Sequence, residues 1–397
     1  MLAMIAVIPL LTLLSLLRVR GTGATDTVWA EDGALFFKES LHSGPLRLLI
    51  TPYNGYLHLV PRVAVDVARL FPLAYLAIVL AVTGALISSS LAVFVYRVSR
   101  AHLRSRLLCA TVAAPLALTW VAQTEVGNNI ADAQWYFVYA SFWAALYRGR
   151  SVRGQVLSAL VIFLAVASDP FAVVFFPLLR RNRPMVAGMA AGLLYQGIGV
   201  VFMGALSSRS HQREYDIPLS TGAYIRHVIG HVLWPPAEFW LVGVVLVAGL
   251  LAWILRGQTR HPRLRASDPR AYVMKAAFAY SVVFYFALTI EGGFIADRYA
   301  YPATALLLAG MAAAAAETER GRGLLAGAVA VSVCWGYFGH VPDGNLRADS
   351  PSWRGQLHLA AAQCVTLHED AADVAIAPHS WKVRVPCRLL LRELPAQ

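Results

Sequence analysis

The chain opens "MLAMIAVIPLLTLLSLL" (residues 1–17) and continues "RVRGTGATDTVWAEDGALFF" (residues 18–37). An apolar run without a single charge gives way at once to a stretch that holds Asp26, Glu31 and Asp32. The run lacks the basic start and the A-x-A-like site of a cleaved signal peptide, so it reads as a first membrane span. The acidic stretch then sits at a membrane surface. It is either a water-facing loop or an acidic site beside the bilayer, and the rest of the chain has to choose.

Composition extends the first reading to the whole chain. Of its 397 residues, 58% are hydrophobic and 14% charged, with a mean hydropathy of +0.57; a soluble domain is nearer about 25% charged. The pattern predicts an all-α polytopic membrane domain over residues 1–340 and an extracytoplasmic tail over 341–397. A helical span needs roughly 20 mostly apolar residues. About 11 transmembrane or re-entrant segments are expected, over 1–17, 75–96, 107–122, 135–147, 155–168, 171–179, 185–206, 237–255, 275–290, 301–316 and 324–340. Asp169-Pro170 interrupts the fifth and sixth, which read as two short spans or one re-entrant hairpin.

The formal net charge of +12 would raise nucleic acid as a partner for a soluble protein. Here the basic residues fall in short loops between apolar runs. Arg97, Arg100, Arg104 and Arg106 lie in one, Arg148, Arg150 and Arg153 in the next, Arg180, Arg181 and Arg183 in a third, and further clusters follow over 256–275 and 317–322. Alternation by the positive-inside rule makes these loops cytoplasmic, together with the N-terminus. They fit contact with anionic membrane lipid, and nucleic acid is not an expected partner. Arg18 and Arg20, just after the first run on the outer side, oppose this topology.

The loops left outside hold the polar residues that could do chemistry. In the first, "GALFFKESLHSGPLRLLI" reads as an amphipathic interfacial helix with Leu35, Phe36, Leu41 and Leu46 toward lipid. Pro52 and Asn54-Gly55 mark a turn, and a second surface helix follows, with Tyr56, His58 and Arg62 near its start. Glu31 and Asp32 suit a general base or a divalent cation, and equally a helix cap. "EVGNNIADAQWYF" (125–137) supplies Asn129, Asp132 and Gln134, amide and acid groups able to bind sugar hydroxyls. Asp169 is a carboxylate near membrane depth, functional or a cap. Arg298 and Tyr301 open a late span, where a guanidinium could pair with a lipid-borne phosphate. His227 and His231 are spaced i,i+4 without an H-E-x-x-H pattern. In the tail, "WRGQLHLAAAQC" reads as a helix, "ADVAIAP" and "WKVRVPCRLLL" as strands, and Cys364 and Cys387 can pair in an oxidising compartment. Cys109 and Cys334 read as packing residues within spans. No Gly-rich nucleotide loop is present.

On "WAEDG" (29–33), the two amphipathic segments after it and the many irregular spans, residues 1–340 resemble the integral-membrane glycosyltransferases of the C-type fold. They are also similar to uncharacterised multi-spanning actinomycete proteins that carry this segment. The resemblance implies inverting transfer of a sugar from a polyprenyl-phosphate donor to a cell-envelope glycan, lipid or protein acceptor at the outer membrane face. It implies Asp32 as catalytic residue with Glu31 orienting the acceptor or joining it on a metal. Arg298, Arg62 and His58 would bind the donor phosphate, and Asn54, Asn129, Asp132, Gln134 and Tyr301 the substrate. Mg2+ or Mn2+ serves some members of that superfamily and not others. Two alternatives stay open: a flippase or transporter of lipid-linked sugars, and a non-catalytic envelope-assembly protein.

Overall fold

The structure, a computed structural model, describes residues 6–19, 21–118, 123–179, 182–208, 217–234, 237–260, 268–292, 297–338, 347 and 349–394. Arg20, Arg180, Arg181, His211, Arg213, Tyr215 and Asp216 lie outside them. Helix α1 (Val7–Leu17) leads to a π-helical turn (Asp32–Phe37) and two short helical turns, Lys38–His42 and Pro45–Leu49. A hairpin of β1 (Pro52–Tyr53) and β2 (Tyr56–Leu57) precedes α2 (Leu59–Ala68), α3 (Leu76–Leu103), α4 (Arg106–Ala117), α5 (Ala133–Ala145) and α6 (Val152–Ser168). A 3-10 turn (Pro170–Phe175) follows, then α7 (Arg183–Met203), α8 (Trp240–Arg260), α9 (Pro269–Gly292), α10 (Asp297–Ala315) and α11 (Glu319–Phe338). The tail consists of α12 (Trp353–Leu367), β3 (Ala371–Ala375), β4 (Lys382–Pro386) and α13 (Cys387–Glu393).

The expectation of about 11 spanning segments is corrected. Among the described residues three helices are long and apolar enough to cross a membrane: Leu73–Leu103, Arg183–Met203 and Pro269–Ile290. Shorter apolar helices accompany them, such as α1 with 11 residues and α4 with 12. At 1.5 Å per residue a 12-residue helix covers about 18 Å, against about 30 Å of hydrocarbon. The run at 135–147 is apolar for another reason. All 13 residues of α5 are buried in protein, and α10 is buried continuously from Ala300 to Ala315. A helix that is hydrophobic on every side belongs to a core as readily as to lipid. The chain is thus a helical protein with a few apolar helices suited to membrane association. Exposed apolar side chains on α7 and α8, among them Leu194, Val201, Phe202 and Val245, exceed what a water-facing surface carries.

Close helix packing follows from small residues. Gly188 and Gly192 of α7 face α6, and a Cβ on Gly188 would lie 2.3 Å from the Ala159 carbonyl oxygen. A small-xxx-small stripe of this kind lets two backbones touch. The segment after Asp169 turns back along α6: Phe171 stands at one end of the helical layer and Leu178 and Leu179 at the other. The segment Pro170–Leu179 thus brings the chain back to the end of the layer from which α6 starts.

The tail forms a second, smaller core. Cys364 and Cys387 are joined by a disulfide with Cα atoms 5.6 Å apart, and β3 pairs antiparallel with β4. Residues 387–393, expected as the end of a strand, are helical because pairing stops at Pro386. The tail packs on the first loop and on the start of α3. Ala377 donates its N–H to the Val28 carbonyl, the Trp353 indole donates to Leu73 O at 2.9 Å, and Trp353, Leu357, Val374 and Val383 bury with Val28, Phe37 and Leu76. Cys109 is buried as expected, whereas Cys334 is exposed.

Candidate functional site

A cavity at one end of the helical layer gathers residues from six parts of the chain. It is lined by Glu31 and Phe36 beside the π-helical turn, by Tyr53, Asn54, Tyr56 and His58 of the hairpin, and by Ala131, Asp132, Gln134 and Trp135 at the start of α5. Asp169 and Phe171 after α6, Leu288 of α9, and Arg298 and Tyr299 of α10 complete it. It leaves about 90 Å³ for the centres of water molecules, within about 810 Å³ of atom-free space that runs out to solvent.

Local sequence places these groups. Asn54 and Gly55 both adopt positive φ, 49° and 97°, the pair of angles that a two-residue hairpin turn demands. Tyr53 is therefore directly opposite Tyr56 in the register, and directly opposed residues share a face. Gln196 of α7 anchors the hairpin. Its Oε1 accepts from Leu57 N–H at 2.9 Å, and its Nε2 donates to the Leu57 and Val166 carbonyls. Ser168 Oγ accepts from Val60 N–H. The expected surface helix at 33–50 is broken up. Phe36 turns inward, not to lipid, and packs on Tyr53 and His58 at ring-centroid distances of 6.2 and 5.7 Å; Leu46 alone is strongly exposed, at 82%.

Three carboxylates and one guanidinium set the electrostatics. Asp132, buried, accepts from the Trp135 indole at 2.9 Å, and burial pushes its carboxyl up to about 7 against the pull of Arg298. Asp169 is 1% exposed. Its Oδ1 caps the 3-10 turn by accepting from Phe171 N–H at 2.9 Å, while Oδ2 is buried without a hydrogen-bond partner among the described residues. Burial raises this carboxyl too to about 7. Burial lowers the proton affinity of Arg298, but Asp132, Glu31 and Glu125 more than compensate, and the group stays charged. Arg298 also pairs with Glu125 at 3.8 Å. His58 stacks on Tyr56, with ring centroids 4.2 Å apart, and shares a 3.2 Å hydrogen bond with Tyr53 O. Burial and then Arg62 lower it to about 3, so it lines the cavity as a neutral ring.

Of the expected site residues, Glu31, Asn54, His58, Asp132, Gln134 and Arg298 meet in this cavity. Four do not line it, each for a structural reason. Asp32 points into the protein, where Oδ1 accepts from Ala131 N–H at 2.8 Å and Oδ2 from Ile130 N–H at 3.2 Å. Burial lifts it to about 7, opposed by Arg347 and these two N–H groups. It braces the turn that carries Ala131 and Asp132. Arg62 is fully buried behind Phe36 and pairs with Glu39 at 2.7 Å. Asn129 Oδ1 accepts from Asp132 N–H at 2.8 Å, and its amide donates to Glu125 O. Tyr301 donates to Pro115 O at 2.9 Å inside the core. Glu31 thus lines the cavity, and Asp32 does not. Among the described residues no three His, Cys, Asp or Glu side chains cluster as metal ligands. Asp169, read from the sequence as functional or a cap, lines the site as well, and Tyr53, Tyr56, Trp135 and Tyr299 join it. The Y-N-G-Y spacing around the turn was the signal for Tyr53 and Tyr56.

A second pocket lies at the other end of the same helices. It is lined by Leu146 and Tyr147 after α5, Arg148 and Arg150, Gln155 of α6, Asn182 and Arg183 at the start of α7, and Asp268 and Tyr272 at the start of α9. Thus α5, α6 and α9 each run from one pocket to the other. The 13 residues of α5 separate the two by about 20 Å. No known protein family, characterised protein or solved structure matches the chain.

Proposed function

We propose that the acidic cavity transfers a sugar, with inversion, from a polyprenyl-phosphate donor to an envelope glycan, lipid or protein acceptor at the outer membrane face. The observation that carries this reading is Asp169 Oδ2, a buried carboxylate oxygen without a partner among the described residues, in a cavity lined by tyrosines and by Arg298. Aromatic walls suit the faces of sugar rings, carboxylates and amides suit hydroxyls, and a guanidinium suits a phosphate oxygen.

In the proposed step Asp169 Oδ2 takes the proton of the acceptor hydroxyl. That oxygen bonds to the anomeric carbon from the face opposite the donor phosphate. The carbon–oxygen bond to phosphate breaks, and the lipid phosphate leaves with the electron pair. Arg298 balances its charge, with Glu31 and Asp132 holding the guanidinium in place by their negative charge. A base near pKa 7 is matched to this task at neutral pH. The role moves from Asp32 to Asp169 because both Asp32 oxygens are already used by backbone N–H groups. The basic loops around the second pocket are proposed to face the cytoplasm. The layer between the pockets favours transfer over transport: Tyr136, Tyr139, Phe142 and Trp143 of α5 are each at most 1% exposed and fill it.

The test is an assay of purified protein with a panel of polyprenyl-phosphate sugars, with and without chelator. Transfer by the wild type that Asp169→Asn lowers about 10²- to 10⁴-fold is expected. Absence of transfer with the whole panel, or undiminished transfer by Asp169→Asn, contradicts it.

A further inference from the structure

The second pocket differs from the first in every respect that matters for ligand choice. It is larger, with about 720 Å³ for the centres of water molecules. Three guanidiniums line it, those of Arg148, Arg150 and Arg183. None of the three has an ion-pair partner among the described residues. Asp268, the one lining carboxylate among the described residues, is already engaged: Arg270 grips it with Nη2 at 2.7 Å from Oδ2 and Nε at 3.2 Å from Oδ1. The pocket therefore carries unmatched positive charge. Its floor is apolar, formed by Leu146, Leu178, Leu179 and Pro184. On α6, whose Gln155 lines the pocket, an exposed stripe runs through Val152, Val156 and Leu160, which are 72%, 58% and 46% exposed. These three are spaced i, i+4, i+8 and so share one helix face.

We propose that this pocket binds the phosphate headgroup of an anionic membrane lipid, with the arginines on the phosphate and the lipid's chains along the α6 stripe. Guanidinium matches phosphate geometry and gives up its hydration more readily than ammonium. Basic pockets between apolar helices are the usual seat of such headgroups. A free phosphate would meet the same arginines but would leave the adjoining apolar stripe unused. The site is independent of the transfer chemistry at the other end.

The experiment measures binding of dioctanoyl phosphatidic acid, dioctanoyl phosphatidylcholine and inorganic phosphate to the purified full chain in a non-ionic detergent. Expected are saturable binding of phosphatidic acid at least tenfold tighter than of phosphatidylcholine, weakening between 50 and 300 mM salt, and at least a tenfold loss in the triple variant Arg148→Gln, Arg150→Gln, Arg183→Gln. The single variant Arg150→Gln, with a smaller loss, serves if the triple variant fails to fold. Equal affinity for the two lipids overturns the proposal, as does binding that the substitutions leave unchanged. Displacement of the lipid by an equal concentration of inorganic phosphate overturns the lipid assignment.

Discussion

The two ends of α5, α6 and α9 are built on opposite electrostatic plans. At the cavity end the charges are few, buried or half-buried, and tied down: Asp32 to two N–H groups, Asp132 to an indole, Asp169 to the turn it caps, Arg298 to Glu125. At the other end three arginines stand at the surface without acidic partners among the described residues. Burial makes each charge at the first end costly and individually important. Exposure makes each charge at the second end weak and only collectively useful. Single substitutions should therefore matter at the cavity and hardly at the basic pocket.

That contrast can be broken by four measurements. Loss of one charge-assisted contact to phosphate costs about 1.5–3 kcal/mol, so Arg298→Gln should raise the donor KM by about 10- to 100-fold. An unchanged KM would remove Arg298 from the donor site. Asp32→Asn turns an amide nitrogen toward a backbone N–H and should cost about 1–3 kcal/mol of stability. A thermal melt would show it as a lower Tm, and an unaltered Tm would leave Asp32 without its bracing role.

The third measurement is the pH dependence of stability. Asp169 rises from the ordinary value of 3.8 to about 7 on folding. Between those values the folded chain holds the proton more tightly than the unfolded chain, so stability falls as pH rises through the window and levels off above about 7. Asp169→Asn lacks this slope. Its Tm should gain on that of the wild type from about pH 4 to about pH 7, and parallel Tm curves would contradict the burial of that carboxylate. The smallest effect belongs to the other end. Removing the charges of Arg148, Arg150 and Arg183 in lipid-free detergent should change stability by no more than about 0.5 kcal/mol each; a large fall in Tm would mean that these arginines hold the fold.

Much of the cavity was legible in the sequence because polar residues between apolar runs have few places to go. Glu31, Asn54, His58, Asp132, Gln134 and Arg298 were separated from one another only by helices that return to the same end. The Asn54-Gly55 turn, the break at Asp169-Pro170 and the α12–β3–β4 tail with its disulfide were equally readable. Two things were not. Apolar runs at 135–147 and 301–316 carry no mark that distinguishes protein core from lipid, and the number of spans was therefore overstated. Side-chain direction was the other. Successive residues on a helical turn point about 100° apart, and here Glu31 lines the cavity while Asp32 turns to the N–H groups of Ile130 and Ala131. Adjacency in the sequence made them look like a pair, and a pattern of acids says nothing about which one the fold turns inward.

The most direct test sets Asp169→Asn beside Asp32→Asn in parallel transfer assays and thermal melts. Asp169→Asn should lose transfer and keep or gain Tm at neutral pH, while Asp32→Asn should lose Tm and, where folded, keep most of its transfer. The reverse pattern, with transfer abolished in a stable Asp32→Asn protein and intact in Asp169→Asn, would contradict that division of roles.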